Sequence, residues 1–448
     1  MAGVGKIKSA LSRLLRSRRA ILYLALAFGV VFIENGDEIV QHLGYGECDR
    51  ITLPVRMLYQ RLATLGHVSR SHWVRVVSYS ERDIPAIANP CSKRAVVAAL
   101  VRRISEYAPA AVVIDHWYPP GSCKDGQDHE KSQELVTALQ STNTPVIIGS
   151  HTHSWEELFN DPQLREFQNK GFTSRDQLLD ESDNNFVSDN VHLGLVRLNC
   201  DNRRIPLAWR VYSSRQAILA GAQPARMNSL AYETAIRVDS RITPFTDTLV
   251  KKDEHPFTGF IAEEEFTRLN NGSKLTASAL LCQSNPRGAT AQMADWSHCR
   301  GATNSELSDM RSKVVVIGQK YDPPYDWHDS ALGKVPGYVL HANYIDALLT
   351  DYYFRPLPLA VELVLILIGM LGLVAVFESA PSILWGFAGS MLTVIVIAVI
   401  CSQIQLSFRI FLGFWLALVP VPAVETLFHI RSVFKPKGKD DVGLVASA

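Results

Sequence analysis

The chain has 448 residues, with 45 Lys and Arg against 44 Asp and Glu, a formal net charge of +1 and a pI near 7.7. So even a balance offers no electrostatic reason to expect nucleic acid as a partner, and a chain of this length divides into more than one structural unit. The charge is unevenly placed: nearly all of it lies before Arg355, and the stretch beyond is mostly apolar until Arg431.

In chain order, a basic start (Lys6, Lys8, Arg13, Arg16, Arg18, Arg19) leads into an apolar segment, residues 20–33. That length is short of the roughly 20 residues of an ordinary span, but arginines snorkel at its start and no small-residue cleavage site follows Ile33. A retained anchor is therefore expected, with residues 1–19 as a cytoplasmic start.

Residues 93–107 place Val97, Leu100, Val101 and Ile104 on one helical face, and Pro109 stops the helix. Residues 111–114 read as a short buried strand ending at Asp115, followed by an amphipathic helix over 131–140 and a second buried strand over 145–149. Residues 155–190 are polar, with many Asp and Asn residues, and read as a helical or partly mobile insertion. Two strands over 194–198 and 205–211, joined by Asn199-Cys200-Asp201-Asn202, carry a hairpin signature. A continuous apolar strand over 314–318 and a helix over 338–350 close the region. Buried strands alternating with helices indicate parallel pairing, and the hairpin adds antiparallel pairing. The expected fold is an α/β domain over residues 34–356 with a mixed, partly parallel sheet flanked by helices.

Three further apolar segments follow, at 357–377, 383–401 and 410–430, the last interrupted by Pro420 and Pro422. Gly369, Gly372, Gly386, Gly389 and Gly413 permit close helix contact, and Glu362 and Glu425 lie near segment ends, where an interfacial place is expected. Arg431, Lys435, Lys437 and Lys439 begin a basic tail, residues 431–448. Positive flanks stay in the cytoplasm, so both termini are expected inside, with four crossings and residues 34–356 outside. Of the 7 cysteines, Cys48, Cys91, Cys123, Cys200, Cys282 and Cys299 fall in that exported region. An oxidising compartment permits disulfides there; Cys282 and Cys299, flanking a polar loop with Pro286 and Gly288, are the favoured pair.

Residues 82–350 resemble a type-2 CHASE domain, the cyclase- and histidine-kinase-associated sensory extracellular module. The matching pieces occur in the family's order: Arg82-Asp83-Ile84, the helix leading into Val112 to Asp115, the Gly194 strand, the Asp201 to Arg204 turn with Asn202 where Gly is usual, and Pro206-Leu207. Lys313 to Gly318, Pro336-Gly337 and Leu340-His341-Ala342-Asn343 complete the set. The resemblance implies a multi-pass protein of a bacterial inner membrane with a periplasmic sensory domain. Family members commonly continue into a cyclase or kinase, and the tail here is too short to fold as one. The signal is therefore expected to pass to a separate output protein.

In parallel sheets ligands bind outside the carboxyl ends of the strands. Asp115-His116, then His151 and His153, then Gln319 and Asp322 follow three inferred strands, and Asp326 and His328 occupy the loop after the third. Together they make the candidate ligand crevice, provided the strands are neighbours. His151 and His153, two apart, project to one side of an extended segment and could hold a metal with Asp115 or His116, but ordinary surface histidines are commoner, and no metal or cofactor is expected. His341 reads as satisfying a buried hydrogen bond. No nucleophile elbow, phosphate loop or dinucleotide fingerprint accompanies a strand-to-helix junction, so no catalytic residue is assigned. The reading is a non-enzymatic sensor of a small molecule or extracytoplasmic protein, with no nucleic acid as partner, embedded in lipid and open to homo-oligomerisation; the alternatives are a structural or regulatory subunit of a membrane complex and, on the histidines alone, a metal-dependent hydrolase.

Overall fold

The computed structural model describes residues 73–119, 127–154, 157–173, 176–180, 188–198, 204–242, 257–260, 274–282, 301–321, 325–330, 333–351, 353, 357–408, 410 and 412–433, with residues 23, 25 and 29. The chain divides into two compact units, one of residues 37–57 and 66–355, the other of residues 1–36, 58–65 and 356–448.

The first unit is built on a six-stranded, wholly parallel sheet. Its strands are β1 (Val74–Tyr79), β2 (Ala111–Asp115), β3 (Val146–Ser150), β6 (Val191–Leu195), β11 (Lys274–Thr276) and β12 (Val314–Gln319), in the spatial order β11-β1-β12-β2-β3-β6. Alternate residues of each strand feed two cores. Val77, Ile114, Val146 and Ile317 point to one face, against α1 (Pro90–Ser105), α2 (Gln127–Ser141), α6 (Ala277–Cys282) and α7 (Asn304–Ser308). Val76, Val113, Ile147 and Val316 point to the other, against α5 (Leu230–Val238) and α8 (Gly337–Thr350). Burial on both faces explains the uninterrupted apolar runs of β2, β3 and β12.

Helix α1 begins earlier than its periodicity suggests. Asn89 caps it, its side chain accepting from the amides of Cys91 (2.8 Å) and Ser92 (3.2 Å), and Pro90 occupies the first turn, where no amide is needed. Gly318 lets β12 approach α8: a Cβ there would meet Cβ and Cγ of Tyr338 at 2.2 Å.

The antiparallel pairs lie outside the main sheet. A second sheet, ordered β4-β5-β8-β9, comprises β4 (Thr152–His153), β5 (Asp176–Leu179), β8 (Ala208–Tyr212) and β9 (Ala225–Asn228). Leu158, Leu164, Phe167, Phe172, Tyr212 and Ile218 form its core with α3 (Leu164–Asn169) and α4 (Arg215–Leu219). The mixed pairing expected of one sheet thus belongs to this smaller one. The expected hairpin also does not form. The strand ending at Leu195 pairs with β3, whereas β7 (Arg204–Pro206) pairs with β10 (Phe257–Phe260) and β8 pairs with β5 and β9. The apolar face of β6 is buried by the parallel sheet, and that burial outweighs the local turn signal; the turn itself, residues 199–203, lies outside the described residues. Residues 155–190 likewise hold part of a sheet as well as a helix.

In the second unit, α9 (Leu359–Ser379) and α10 (Ile383–Phe408) contain the stretches Ala360–Ser379 and Ile383–Cys401, with mean hydropathy 2.7 and 2.4, long and apolar enough to cross a membrane. Ile366, Met370 and Leu373 pack with Val394, Leu418 and Val421, while Leu384, Trp385, Leu392, Ile395 and Val399 remain exposed, as a lipid-facing surface requires. The third expected span is broken instead: a 3-10 turn over Gly413–Leu418 precedes α11 (Val421–Val433). Pro420 and Pro422 remove amide donors at that junction, so a continuous helix cannot keep its hydrogen bonds. The apolar helical stretch Phe414–Ile430 falls short of spanning length, and two such spans, not four, stand among the described residues. Residues 20–33, apart from helical Tyr23, Ala25 and Gly29, lie outside them.

Gly369 and Gly386 do sit at close approaches, facing Leu418 and the Phe377 carbonyl, whereas Gly372 has nothing within 4 Å. Glu362 and Glu425 are buried rather than exposed at the helix ends, and Glu425 accepts a hydrogen bond from the Tyr23 hydroxyl. Neither Cys91 nor Cys282 is a free thiol, while Cys401 is. The expected Cys282–Cys299 pair falls outside the described residues, because Cys299 does.

Candidate functional site

The three strands read as neighbours are neighbours: β12 lies between β1 and β2, and β2 pairs with β3. Their connections leave the carboxyl edge in opposite directions. The chain after β1 and β2 enters helices on one face, and the chain after β12 enters α8 on the other. Divergent connections open a crevice at such a switch point. The last residues of β1, β12 and β2 stand at this switch point, namely Tyr79, Gln319 and Asp115.

Tyr79 and Gln319 are in register across β1 and β12, so both side chains leave the same face. They are 1% and 3% exposed, and neither the Tyr79 hydroxyl nor Gln319 Oε1 has a hydrogen-bond partner. Burial, with the nearby Tyr118, Tyr321 and Asp115, pushes the Tyr79 hydroxyl well up, so it stays protonated and able to donate. Burial also pushes Tyr321, over whose ring Lys93 sits at 5.8 Å, up to about 12. Ser150, ending β3, has a fully buried and unpartnered Oγ as well. Leaving such groups unmatched costs about 1–3 kcal/mol each, so their gathering at one edge calls for a ligand or solvent.

On the opposite face, Asp115 Oδ1 is 3.8 Å from His341 Nε2. Burial first, then the charge of Asp326, raises the Asp115 carboxyl well above its ordinary range. His341, as expected, satisfies a buried hydrogen bond: Nε2 donates to the Val196 carbonyl at 3.1 Å, while Nδ1 has no partner. Burial lowers its imidazole to about 4. Tyr338, pushed up to about 12 by burial, is hydrogen-bonded to Ser78. Asp326 is exposed, has a left-handed backbone (φ 53°), accepts from the Gly337 amide at 3.0 Å and lies 3.1 Å from His328 Nε2. His328 stands on the hairpin of β13 (Trp327–Ser330) and β14 (Gly333–Pro336). His116 is lowered to about 3 by burial and then by Lys93 and Arg94, which favour its neutral form.

Of the expected crevice residues, Asp115, His116, Gln319, Asp326 and His328 belong to this edge and the loop above it; Asp322 lies outside the described residues. His151 and His153 do not turn toward Asp115 or His116. Both meet Asp180, at 2.6 Å each, in a separate cluster beside the second sheet. Reading the sequence missed Tyr79, Tyr338 and Asp180, whereas Ser150 and Tyr321 lie in the polar stretches that it placed at this edge. For Tyr79 the missing signal was strand β1 itself, interrupted by Arg75.

Residues 29–376 match the CHASE2 domain profile. The chain belongs to the CHASE2 domain family. CHASE2 domains are extracellular sensory domains of membrane proteins, which agrees with the two membrane-length apolar helices in this chain. A sensory domain is consistent with a non-enzymatic role. No curated protein and no solved structure matches the chain.

Proposed function

We propose that this CHASE2 protein is an extracytoplasmic sensor that binds a small polar molecule in the crevice between β1, β12 and β2 and passes the change through its apolar helices to a separate output protein. The observation that supports it most is the adjacent pair of buried, unpartnered groups, the Tyr79 hydroxyl and Gln319 Oε1, at the switch point of a parallel sheet. One donates and the other accepts, which suits a ligand carrying both kinds of group, such as a hydroxyl or amide compound. Asp115 and His341, held toward their neutral forms, keep the far side of the crevice from imposing a full charge. The domain joins the next apolar segment through Arg355-Pro356, which offers a short path for coupling. Such coupling needs a ligand with different affinities for two arrangements of the protein.

The reading places the protein in a bacterial inner membrane with the domain outside, and the domain's cysteines paired there. The test is a thermal-shift screen of the full chain in detergent micelles against native extract and metabolite sets. A ligand at 100 times its Kd stabilises by about 2.7 kcal/mol. The expected result is such a shift, lost in Tyr79→Phe. No shift from any extract, together with recovery of a stoichiometric protein partner on crosslinking, would instead favour a structural subunit.

A further inference from the structure

A second constellation stands apart from the crevice. Thr152 is buried, with its hydroxyl 3.3 Å from Gln177 Oε1, so His151 and His153 on either side project to the other side of β4. β4 pairs antiparallel with β5, and the Asp180 amide donates to the His151 carbonyl at 3.1 Å, which pins the carboxylate opposite both rings. Asp180 Oδ2 is 2.6 Å from His151 Nδ1, and Asp180 Oδ1 is 2.6 Å from His153 Nε2. One donor atom from each residue lies within 4.8 Å of the others. The imidazoles are about two-fifths exposed (42% and 40%), so the cluster opens to solvent.

We propose that His151, His153 and Asp180 form a binding site for a first-row divalent cation of the zinc class.

Two imidazoles and one carboxylate are a borderline donor set, suited to Zn²⁺, Co²⁺, Ni²⁺ or Cu²⁺ rather than to Ca²⁺ or Mg²⁺, which require oxygen. Three protein ligands leave a tetrahedral ion one position for water. Ligands about 2.0–2.2 Å from a metal stand roughly 3–3.5 Å apart, so Asp180 needs to withdraw by less than about 1 Å to admit the ion. Its side chain is 16% exposed and hangs at the end of a strand, where a small rotation suffices.

The surroundings of His153 distinguish this arrangement from an ordinary histidine–aspartate hydrogen bond. Its Nε2 faces Asp180, and its Nδ1 faces Glu157 Oε2 at 3.9 Å. A neutral imidazole has a single N–H and can satisfy one of those carboxylates only. With a cation on Nε2, the proton resides on Nδ1 and points at Glu157, the outer partner that metal-bound histidines commonly have. Glu157 is itself held, accepting from the Ser154 amide at 2.6 Å and facing Arg197 at 3.6 Å. The Trp117 ring lies 5.6 Å from that of His151 and shields one side of it. Glu157 is accordingly a positioning residue.

The test uses the full chain in detergent micelles, stripped with chelator and titrated with Co²⁺ alone and then Zn²⁺ alone. The expected result is about one equivalent of Co²⁺ with visible ligand-field absorption, displaced by Zn²⁺. His153→Ala and Asp180→Asn should each weaken binding by tenfold or more, and Glu157→Gln by about tenfold at unchanged stoichiometry. Absence of both Co²⁺ absorption and Zn²⁺ uptake by the unaltered protein overturns the proposal, whatever the variants do. So does undiminished affinity in folded Asp180→Asn.

Discussion

Asp115 at the end of β2 and His341 on α8 approach to 3.8 Å with their side chains 9% and 1% exposed, and the low-dielectric setting drives each toward its neutral form. The two act on stability with opposite signs. His341 titrates near 6.5 when unfolded and near about 4 when folded, so between those values the unfolded chain binds more protons. Its contribution is fully present above pH 6.5 and lost as pH falls toward 4, by up to about 1.4 kcal/mol per pH unit. Asp115, raised on folding, contributes fully below its ordinary 3.8 and loses that contribution as pH rises through its folded value. We predict that His341→Gln, which keeps a donor for Val196, flattens the loss of stability between pH 6.5 and 4. Urea unfolding at a series of pH values measures it, and an unchanged slope would refute it.

Tyr79→Phe removes a buried hydroxyl that has no partner. An unmatched polar group costs free energy, so the variant should be as stable as the parent or more stable by about 1 kcal/mol. Ligand-induced stabilisation should nevertheless fall at least tenfold in apparent affinity. Loss of stability without loss of ligand response would mean that the hydroxyl serves packing alone.

Gly318→Ala should destabilise the domain by about 1–3 kcal/mol or more, because its methyl group would meet Tyr338 Cβ and Cγ at 2.2 Å and force β12 from α8. Denaturant unfolding reads this directly. A variant within about 0.5 kcal/mol of the parent would show that the strand and helix yield freely.

Ser305 on α7 is exposed. In intact cells Ser305→Cys should react with a maleimide that cannot cross the membrane. Labelling only after the cells are opened would place the domain in the cytoplasm and remove the sensory reading with it.

Cys401 is the free cysteine among the described residues, and the chain has 7 in all. Denatured but unreduced protein should take up one maleimide per chain, and all 7 positions should react after reduction. Full uptake without reductant would exclude the paired cysteines expected of an oxidising compartment.

Most of the central sheet was legible in residues 74–350, but unevenly. Val112 to Ile114, Val146 to Ile148 and Val314 to Ile317 announce themselves because a strand covered on both faces is apolar throughout. β1 did not, because Arg75 interrupts it. Arg75 is only 8% exposed and is compensated by Asp309, more than two hundred residues away and also bound by Lys313 at 2.5 Å. No local pattern can reveal such a partner. The carboxyl-edge rule found Asp115 and Gln319 but assigned His151 and His153 to the same crevice, since it cannot see that β4 departs to pair with β5.

By itself the sequence determined the α/β character and the apolar helices after residue 356, because burial on two faces and long apolar runs leave their mark in composition, and it carried the family resemblance in an ordered set of short motifs. Tertiary structure alone decided that β12 enters between β1 and β2, which sets Tyr79 beside Gln319, and that Asp180 closes on two histidines. It also decided the break before Val421, the separation of β6 from β8 and the burial of Glu362 and Glu425. The physical reason is common to all of these. Strand order and side-chain convergence depend on which distant surfaces bury each other, and hydrophobic periodicity carries the fact of burial without the identity of the partner.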